Sequence, residues 1–521
     1  MSSSKHPEDV EDVDEMLAAD DAAEEIEHDG DDDVAMDSDA EDDQQAMDMD
    51  QDEDEEVLLQ NDSIAYFDLP QDSLFTIAQH PVHASLVAVG GSAGPEDDAP
   101  GAGWLFDTSA ATSRPVLPAS YASDPAGAAG TPTTTQLDSL FSLEGHTDSI
   151  NTLCWTYPRG EYLVSGGLDG RMKVWKADVQ PGQPLNISPL GEAQEVKEIN
   201  WLAPCPSVDH PNTVALGATD GSVWVYTIDS SDPSNPLQII QSYFLHTESC
   251  TAGTWTPDGL LLATVSEDSS LYAWDVWGAA ASRNMVQDNG MTAMSLTGED
   301  QRFEVEGGLY SIVTDPKGTF VAVGGAGGAV KIVSLPRLSQ STTTTSSNQR
   351  SQAQKGSRGG AKVTVSDATS GGQILASLHT QADSVETLAT TLSSTSPPTV
   401  LLAAGSVDGS VVIYDATRRF AVRRHIAGAH EDQAVVKLEF LKNSWLLTSC
   451  GMDGVVRRWD LRSGGVTGTT AGGATDRGLV KEWKGHRGGG EGGGVLGFVQ
   501  GQTGERIVTA GDDGVALVFE A

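Results

Sequence analysis

The sequence predicts an all-β chain closed into an eight-bladed propeller behind a disordered acidic N-terminal tail, and three observations carry that reading. First, an aspartate stands six residues before an aromatic at Asp169/Trp175, Asp220/Tyr226, Asp268/Trp274, Asp408/Tyr414, Asp453/Trp459 and Asp513/Phe519. Each pair lies in one cassette: an apolar run ending in small residues, a tight turn holding the Asp, then alternating apolar residues up to the aromatic, as in YLVSGGLDGRMKVW at 162–175. Period-two alternation marks a half-buried strand, and the Asp turns join such strands into hairpins. Second, short β-branched or aromatic runs bounded by Gly, Asp and Asn recur through 62–521 with little helical periodicity. Recurrence of this kind, at roughly 40–45 residues, means one repeated supersecondary unit rather than several unrelated domains. Third, composition breaks near residue 56: residues 1–56 carry 27 Asp+Glu against one Lys, whereas the remainder holds 49 acids and 29 bases, for a net charge of −46. A block such as 29–33 (DGDDD) repels itself and has too little apolar surface to offset the entropy of ordering. Residues 1–56 therefore read as a disordered acidic tail and 57–521 as the propeller.

Each blade is taken as three strands followed by an outer one. Blade one runs through 74–107, with 137–143 as its outer strand; blades two, three and four start at Ile150, Val196 and Cys250. Blade five, from Leu309, is degenerate, with Gly327 and Val333 in the places of the Asp and the aromatic. Blades six, seven and eight start near Val385, Val435 and Val495, and the chain ends three strands into the last, at 515–520. An open edge there would invite aggregation, and SIAYFD at 63–68 is a spare strand ahead of blade one. It is expected to pair with the C-terminal strand and close the ring. Residues 337–372, rich in Ser, Thr, Gln and Gly, read as a disordered low-complexity insertion before the outer strand of blade five, and 463–478 and 108–135 read as loops.

Gly145-His146 and Gly485-His486 precede the first strands of their units, Leu245-His246 and Ala429-His430 keep the His, and Trp274-Asp275, Trp459-Asp460, Tyr414-Asp415 and Phe106-Asp107 close the third strands. With these dipeptides the chain resembles the WD-repeat family over nearly everything after the tail. The resemblance implies that a buried His, Ser/Thr, Asp and Trp brace strand to turn. The sets are His146, Ser165, Asp169, Trp175; His246, Thr264, Asp268, Trp274; and His430, Ser449, Asp453, Trp459. An Asp in a tight turn accepts backbone N–H bonds and a buried indole N–H needs a partner, so these His/Ser/Asp triples are structural despite their likeness to hydrolase triads.

Other function classes are disfavoured. An acidic body with an acidic tail lacks the clustered Lys and Arg that give phosphate affinity, which argues against direct nucleic-acid binding and for a basic partner. Cys154, Cys205, Cys250 and Cys450 are far apart, with no CxxC spacing, and fit structural thiols in a reducing compartment. No signal-like N-terminus and no apolar run of spanning length is present, so the expectation is a soluble, intracellular monomer away from membranes. No HExxH or phosphate-cradling GxxxxGK[ST] occurs, and His80 and His83 flank a Pro turn without further ligands. Neither an enzyme, nor a cofactor, nor a metal is expected.

Function is expected instead from acids on one rim. Loops before the first strand and between the second and third share one end of a propeller, the top. They hold Asp148, Glu248, Glu267, Glu304, Glu306, Asp383, Glu386, Glu431, Asp432 and Asp512. Singly, such residues keep a rim soluble; as a set they make a negative funnel for a basic peptide.

The acidic N-terminus followed by NDSIAYFDLPQDSLFTIAQHP (61–81), the third-blade segments EINWLAP and VALGATDGSVWVYTID within 198–229, and eight blades without an accessory domain resemble one WD-repeat family. Its animal members are called angio-associated migratory cell protein and its fungal members are ribosome-assembly factors. The fungal protein is a dedicated chaperone of universal large-subunit ribosomal protein sixteen, also called eukaryotic protein ten. The resemblance implies capture of that newly made basic protein by its N-terminal segment, in the cytoplasm, for the pre-60S particle or translating ribosome. The nucleus stays open as a second compartment. Two other classes also stay open: a scaffold or ubiquitin-ligase substrate receptor, which predicts an apolar or basic docking rim, and a histone chaperone, which predicts nuclear enrichment.

Overall fold

The computed structural model describes residues 60–96, 99–111, 135–180, 185–338, 371–462, 478–489 and 492–521. The 1–56 tail, most of the 337–372 insertion and most of the 463–478 and 108–135 loops lie outside the described residues. Among the described residues the structure is eight β-sheets joined by turns and short 3-10 segments. The first strands are Thr76–Gln79, Ile150–Trp155, Ile199–Pro204, Cys250–Trp255, Leu309–Thr314, Val385–Leu392, Val435–Phe440 and Val495–Val499. Each touches the first strands of both neighbouring blades, the eighth touching the first, so the ring is closed around a central channel.

Second strands such as Leu86–Ser92 and Val400–Ser406 are buried at every position. They are the middle of each sheet, with a neighbouring blade on either face, so both alternating side-chain sets are apolar or small. The core is accordingly eight seams between blades rather than one centre. In the seam between blades seven and eight, Cys450, Val456 and Trp483 meet Val495, Phe498, Ile507 and Phe519.

Closure uses the expected strand. Ala65–Phe67 pairs antiparallel with Ala516–Glu520, Ala65 opposite Val518, and Phe67 is fully buried, its ring stacked on Phe106 at 4.7 Å. One feature was not foreseen: Thr135–Gln136 adds a fifth strand to this sheet, parallel to Ala65–Phe67, and the outer strand of blade one is the shorter Ser139–Leu143. The segment taken as loop through Thr135 thus ends by covering the edge that the closing strand would leave bare.

Blade five keeps its four strands, with Ile374–His379 as the outer one after the insertion. Gly327 takes the turn at φ +61, and Val333 is buried with Phe303, Val305 and Leu335 against blade four. Apolar packing there takes the place of a polar brace. All four cysteines are buried as free thiols, and burial pushes Cys450 up to about 12 and Cys205 up to about 11, so they stay protonated.

At the bottom of the ring, His80 ties blade one to blade two. Its Nδ1 accepts from the amides of Val82 (3.1 Å) and His83 (3.0 Å), and Nε2 faces the Gly160 carbonyl at 3.2 Å, so backbone groups occupy both nitrogens. Burial, and then His83, hold this imidazole down to about 4. A folded pKa below the unfolded one means stability is fully present above pH 6.5 and falls as the pH drops from 6.5 toward 4, by about 3 kcal/mol at pH 4. Urea unfolding of wild type and His80→Asn across that range should show the stability difference shrinking as pH falls; a pH-independent difference would contradict it.

Candidate functional site

Two kinds of contact bring the rim acids to one face. Within a blade, the bracing aspartate of the second-to-third turn accepts an amide from the loop ahead of the first strand: Thr147 N–H to Asp169 (2.9 Å), Thr247 N–H to Asp268 (2.7 Å) and Ala382 N–H to Asp408 (2.7 Å). Between blades, each turn packs on the next blade's entry loop. Gly409, at φ +76, lies so close to that loop that a Cβ would sit 2.2 Å from the Glu431 carbonyl oxygen, which only glycine permits. Likewise the Val305 amide donates to Ser269 Oγ at 2.8 Å. Asp148, Glu248, Glu304, Glu306, Asp383, Glu431 and Asp432 therefore share the top with the turn residues Glu267 and Asp512.

The channel mouth is set by a repeated irregularity. In the first strand of blades two to eight, the pairing register slips by one residue at Asn151, Asn200, Thr251, Tyr310, Glu386, Val436 and Leu496. Phe75 occupies the same step in blade one, just before Thr76 pairs with Gly90. A bulge re-aims its extra side chain. The residue before each is almost wholly buried, from Leu74 and Ile150 at 0% to Val435 at 1%, whereas all eight of these side chains keep exposed surface. They also lace the ring together: Asn151 Nδ2 donates to Ile199 O (3.1 Å), Asn200 Nδ2 to Cys250 O (2.9 Å) and Thr251 Oγ1 to Leu309 O (2.6 Å).

Four of them, Asn200, Thr251, Tyr310 and Glu386, line a depression of about 390 Å³ together with Ser249 and Glu267. Of the ten rim acids only Glu267 and Glu386 line it. Desolvation in the mouth, then Asp383, raise the Glu386 carboxyl above its ordinary value. Tyr310 is raised by burial and then by Glu267 and Glu386, which places both carboxylates within electrostatic reach of one phenol. Neither carboxylate has a hydrogen bond or ion pair among the described residues. Three of the other rim acids are engaged: Asp512 accepts from Ser73 Oγ (2.6 Å) and the Gly492 amide (2.6 Å), and Asp148 and Asp383 each accept the next residue's amide at 2.7 Å. The mouth thus offers two unpaired carboxylates, a half-buried phenol and amide and hydroxyl groups, suited to a cation that has shed part of its water.

The WD domain, G-beta repeat model matches residues 137–176 and 237–275. The ribosome assembly protein SQT1 of Saccharomyces cerevisiae is 28% identical over 515 residues, 95% of this chain and 93% of that protein. Human angio-associated migratory cell protein is 23% identical over 389 residues, 73% of this chain and 69% of its own length. The crystal structure of Chaetomium thermophilum Sqt1 bound to the N-terminus of the ribosomal protein L10 superposes with a TM-score of 0.72 at 54% identity, covering 89% of this chain and 100% of that one. The chain belongs to the Sqt1 family of WD-repeat proteins.

In this Sqt1-family chain the three bracing sets differ in detail. In blade seven, Trp459 Nε1 donates to Ser449 Oγ (3.0 Å), Ser449 meets His430 Nε2 (2.8 Å) and His430 Nδ1 meets Asp453 (2.9 Å). In blade two, His146 bridges Ser165 (2.6 Å) and Asp169 (3.1 Å). In blade four, Trp274 and His246 converge on Thr264 at 2.8 Å each, but His246 reaches Asp268 through Ser270 Oγ, 2.6 Å from Nδ1. Burial pushes the Asp268 and Asp169 carboxyls up, yet hydrogen bonds from histidine and backbone outweigh it and both lie below the ordinary range. The three histidines are almost wholly buried and spend their ring nitrogens on these partners, which fits bracing.

Sequence reasoning missed a fourth set, His486 with Asp513 (3.0 Å) and Thr509 (2.7 Å). Its Gly-His and Asp-to-Phe spacing were visible signals. It also missed Tyr310, Asn200 and Thr251, whose common signal is position: each follows the first buried residue of a first strand.

Proposed function

We propose that this chain is a dedicated carrier of a newly made basic ribosomal protein. It takes hold of the N-terminal segment on its acidic top face and delivers it for large-subunit assembly. The observation that carries this is the mouth itself, where Glu267 and Glu386 stand unpaired beside Tyr310. A basic segment neutralises both and recovers the desolvation that raises Glu386. The L10 N-terminus held by the Chaetomium relative supports the choice of partner, and universal large-subunit protein sixteen is the partner that the family resemblance implies. Binding is stoichiometric, with no chemical step, and takes place in the cytoplasm, where ribosomal proteins are made.

Affinity purification from translating ribosomes and from lysate, read by mass spectrometry, tests the reading. One large-subunit ribosomal protein is expected as the stoichiometric partner in both. Ligase subunits or histones in stoichiometric amount would instead support a substrate receptor or a histone chaperone.

A further inference from the structure

The eight mouth positions do not form a uniform ring. Val436, Leu496 and Phe75 occupy them in blades seven, eight and one, which are consecutive, so they make one apolar arc. Phe75 is 40% exposed, a large apolar surface left open at the mouth of a strongly acidic chain. In a closed ring of eight, blade one lies across from blade five and blade eight across from blade four. Phe75 therefore faces Tyr310 across the channel, and Leu496 faces the blade that supplies Thr251 and Glu267.

From this division we infer that the mouth selects its ligand by two-sidedness: it takes an extended basic segment whose alternate residues are apolar. The inference rests on the proposed capture of a basic segment and names its side-chain pattern. Successive side chains of an extended chain point to opposite sides, with residues i, i+2 and i+4 on one of them. A segment laid across the mouth between the two arcs turns one set toward Glu267 and Glu386 and the other toward Val436, Leu496 and Phe75. The basic set meets unpaired carboxylates, while the other set covers apolar surface that a uniformly polar peptide leaves wet. Charge alone admits any basic chain; the apolar arc distinguishes among basic chains of equal charge. It separates the intended ligand from lysine-rich tails, which the acids on their own attract equally.

Two nine-residue fluorescent peptides of equal charge test this with the full-length protein, one alternating arginine with leucine and one alternating arginine with serine. Fluorescence anisotropy at physiological salt is expected to show the leucine peptide binding about tenfold tighter or more, the order of burying one leucine-sized side chain. Phe75→Ser with Leu496→Ser should bring the two affinities within about twofold by weakening only the leucine peptide, and Phe75→Trp should retain the preference. Equal affinities in wild type, or a double variant that weakens both peptides alike, would overturn the two-sided selection while leaving capture of basic segments standing. Binding of neither peptide would overturn capture itself, and this inference with it. Circular dichroism and urea midpoints of the double variant confirm that the propeller remains intact; a preference lost without a shift in midpoint supports the arc.

Discussion

Reversing Glu267 and Glu386 together to lysine is expected to weaken capture of the ribosomal-protein segment by about 100-fold at physiological salt. Each reversal replaces an attraction with a repulsion at a partly desolvated mouth, where a close charge pair contributes about 1.5 kcal/mol or more, and two such positions compound to about 3 kcal/mol. Both carboxylates are on exposed residues and neither has a hydrogen bond or ion pair among the described residues, so the change should leave folding untouched. Asp512 is a poor choice for the same experiment, because its reversal breaks the bonds from Ser73 and Gly492 and mixes stability with binding. Rim acids outside the depression, such as Glu431, should slow association and flatten its salt dependence with a smaller effect on the final affinity. Anisotropy titrations across a salt series separate the two contributions. An affinity for the double reversal within threefold of wild type would remove this mouth from the mechanism.

What could be foreseen and what could not divides along a physical line. Blade strands were legible because their side chains answer to a repeated environment, apolar toward a seam and small at the turn, which leaves the Asp-to-aromatic spacing six times over. The closing strand Ala65–Phe67 was legible by subtraction, since the C-terminal sheet was one strand short. Thr135–Gln136 was not: two residues carry no period, and their pairing exists only because the ring has closed. The acids could be placed on a face, because loop position follows from strand order, but not ranked. Whether an acid is spent on a neighbouring amide, as Asp148 and Asp512 are, or left unpaired, as Glu267 and Glu386 are, depends on contacts between loops distant in sequence. The mouth ring was hidden for a related reason. Its residues, from Phe75 through Asn151 to Leu496, face a channel rather than a seam, so no shared packing requirement gives them a common type.

Asp453→Ala should destabilise the propeller by about 3–5 kcal/mol, the range for removing one partner of a buried charge pair. Burial raises the Asp453 carboxyl, but the hydrogen bonds and charges of His430 and Arg457 outweigh it and keep it below its ordinary range, hence ionised. Three groups depend on that charge: His430 Nδ1 at 2.9 Å, the Val455 amide at 3.1 Å, and the Arg457 guanidinium, whose side chain is only 11% exposed. Alanine takes the carboxylate from His430 Nδ1, which keeps only Arg457 Nη1 at 3.1 Å, and leaves Arg457 with Glu482, 3.6 Å from Nε, as its remaining acidic partner. The same depressed value fixes the pH dependence. Stability from Asp453 is present above the ordinary aspartate value near 3.8 and is lost as pH falls below it toward the folded value, so the gap between wild type and Asp453→Ala should narrow in acid. Asp453→Asn keeps an acceptor for the Val455 amide and the imidazole but loses the charge facing Arg457, so its cost should fall between wild type and alanine. Urea unfolding at neutral pH and in acid measures all three. An alanine variant as stable as wild type would mean that the His–Ser–Asp chain does not brace the blade, and the six aspartates would again need a role in chemistry. A large loss of stability, with capture by the remaining folded fraction unchanged, is the result expected of a brace: the aspartates hold the turns in place, and the turns hold Glu267 at the mouth.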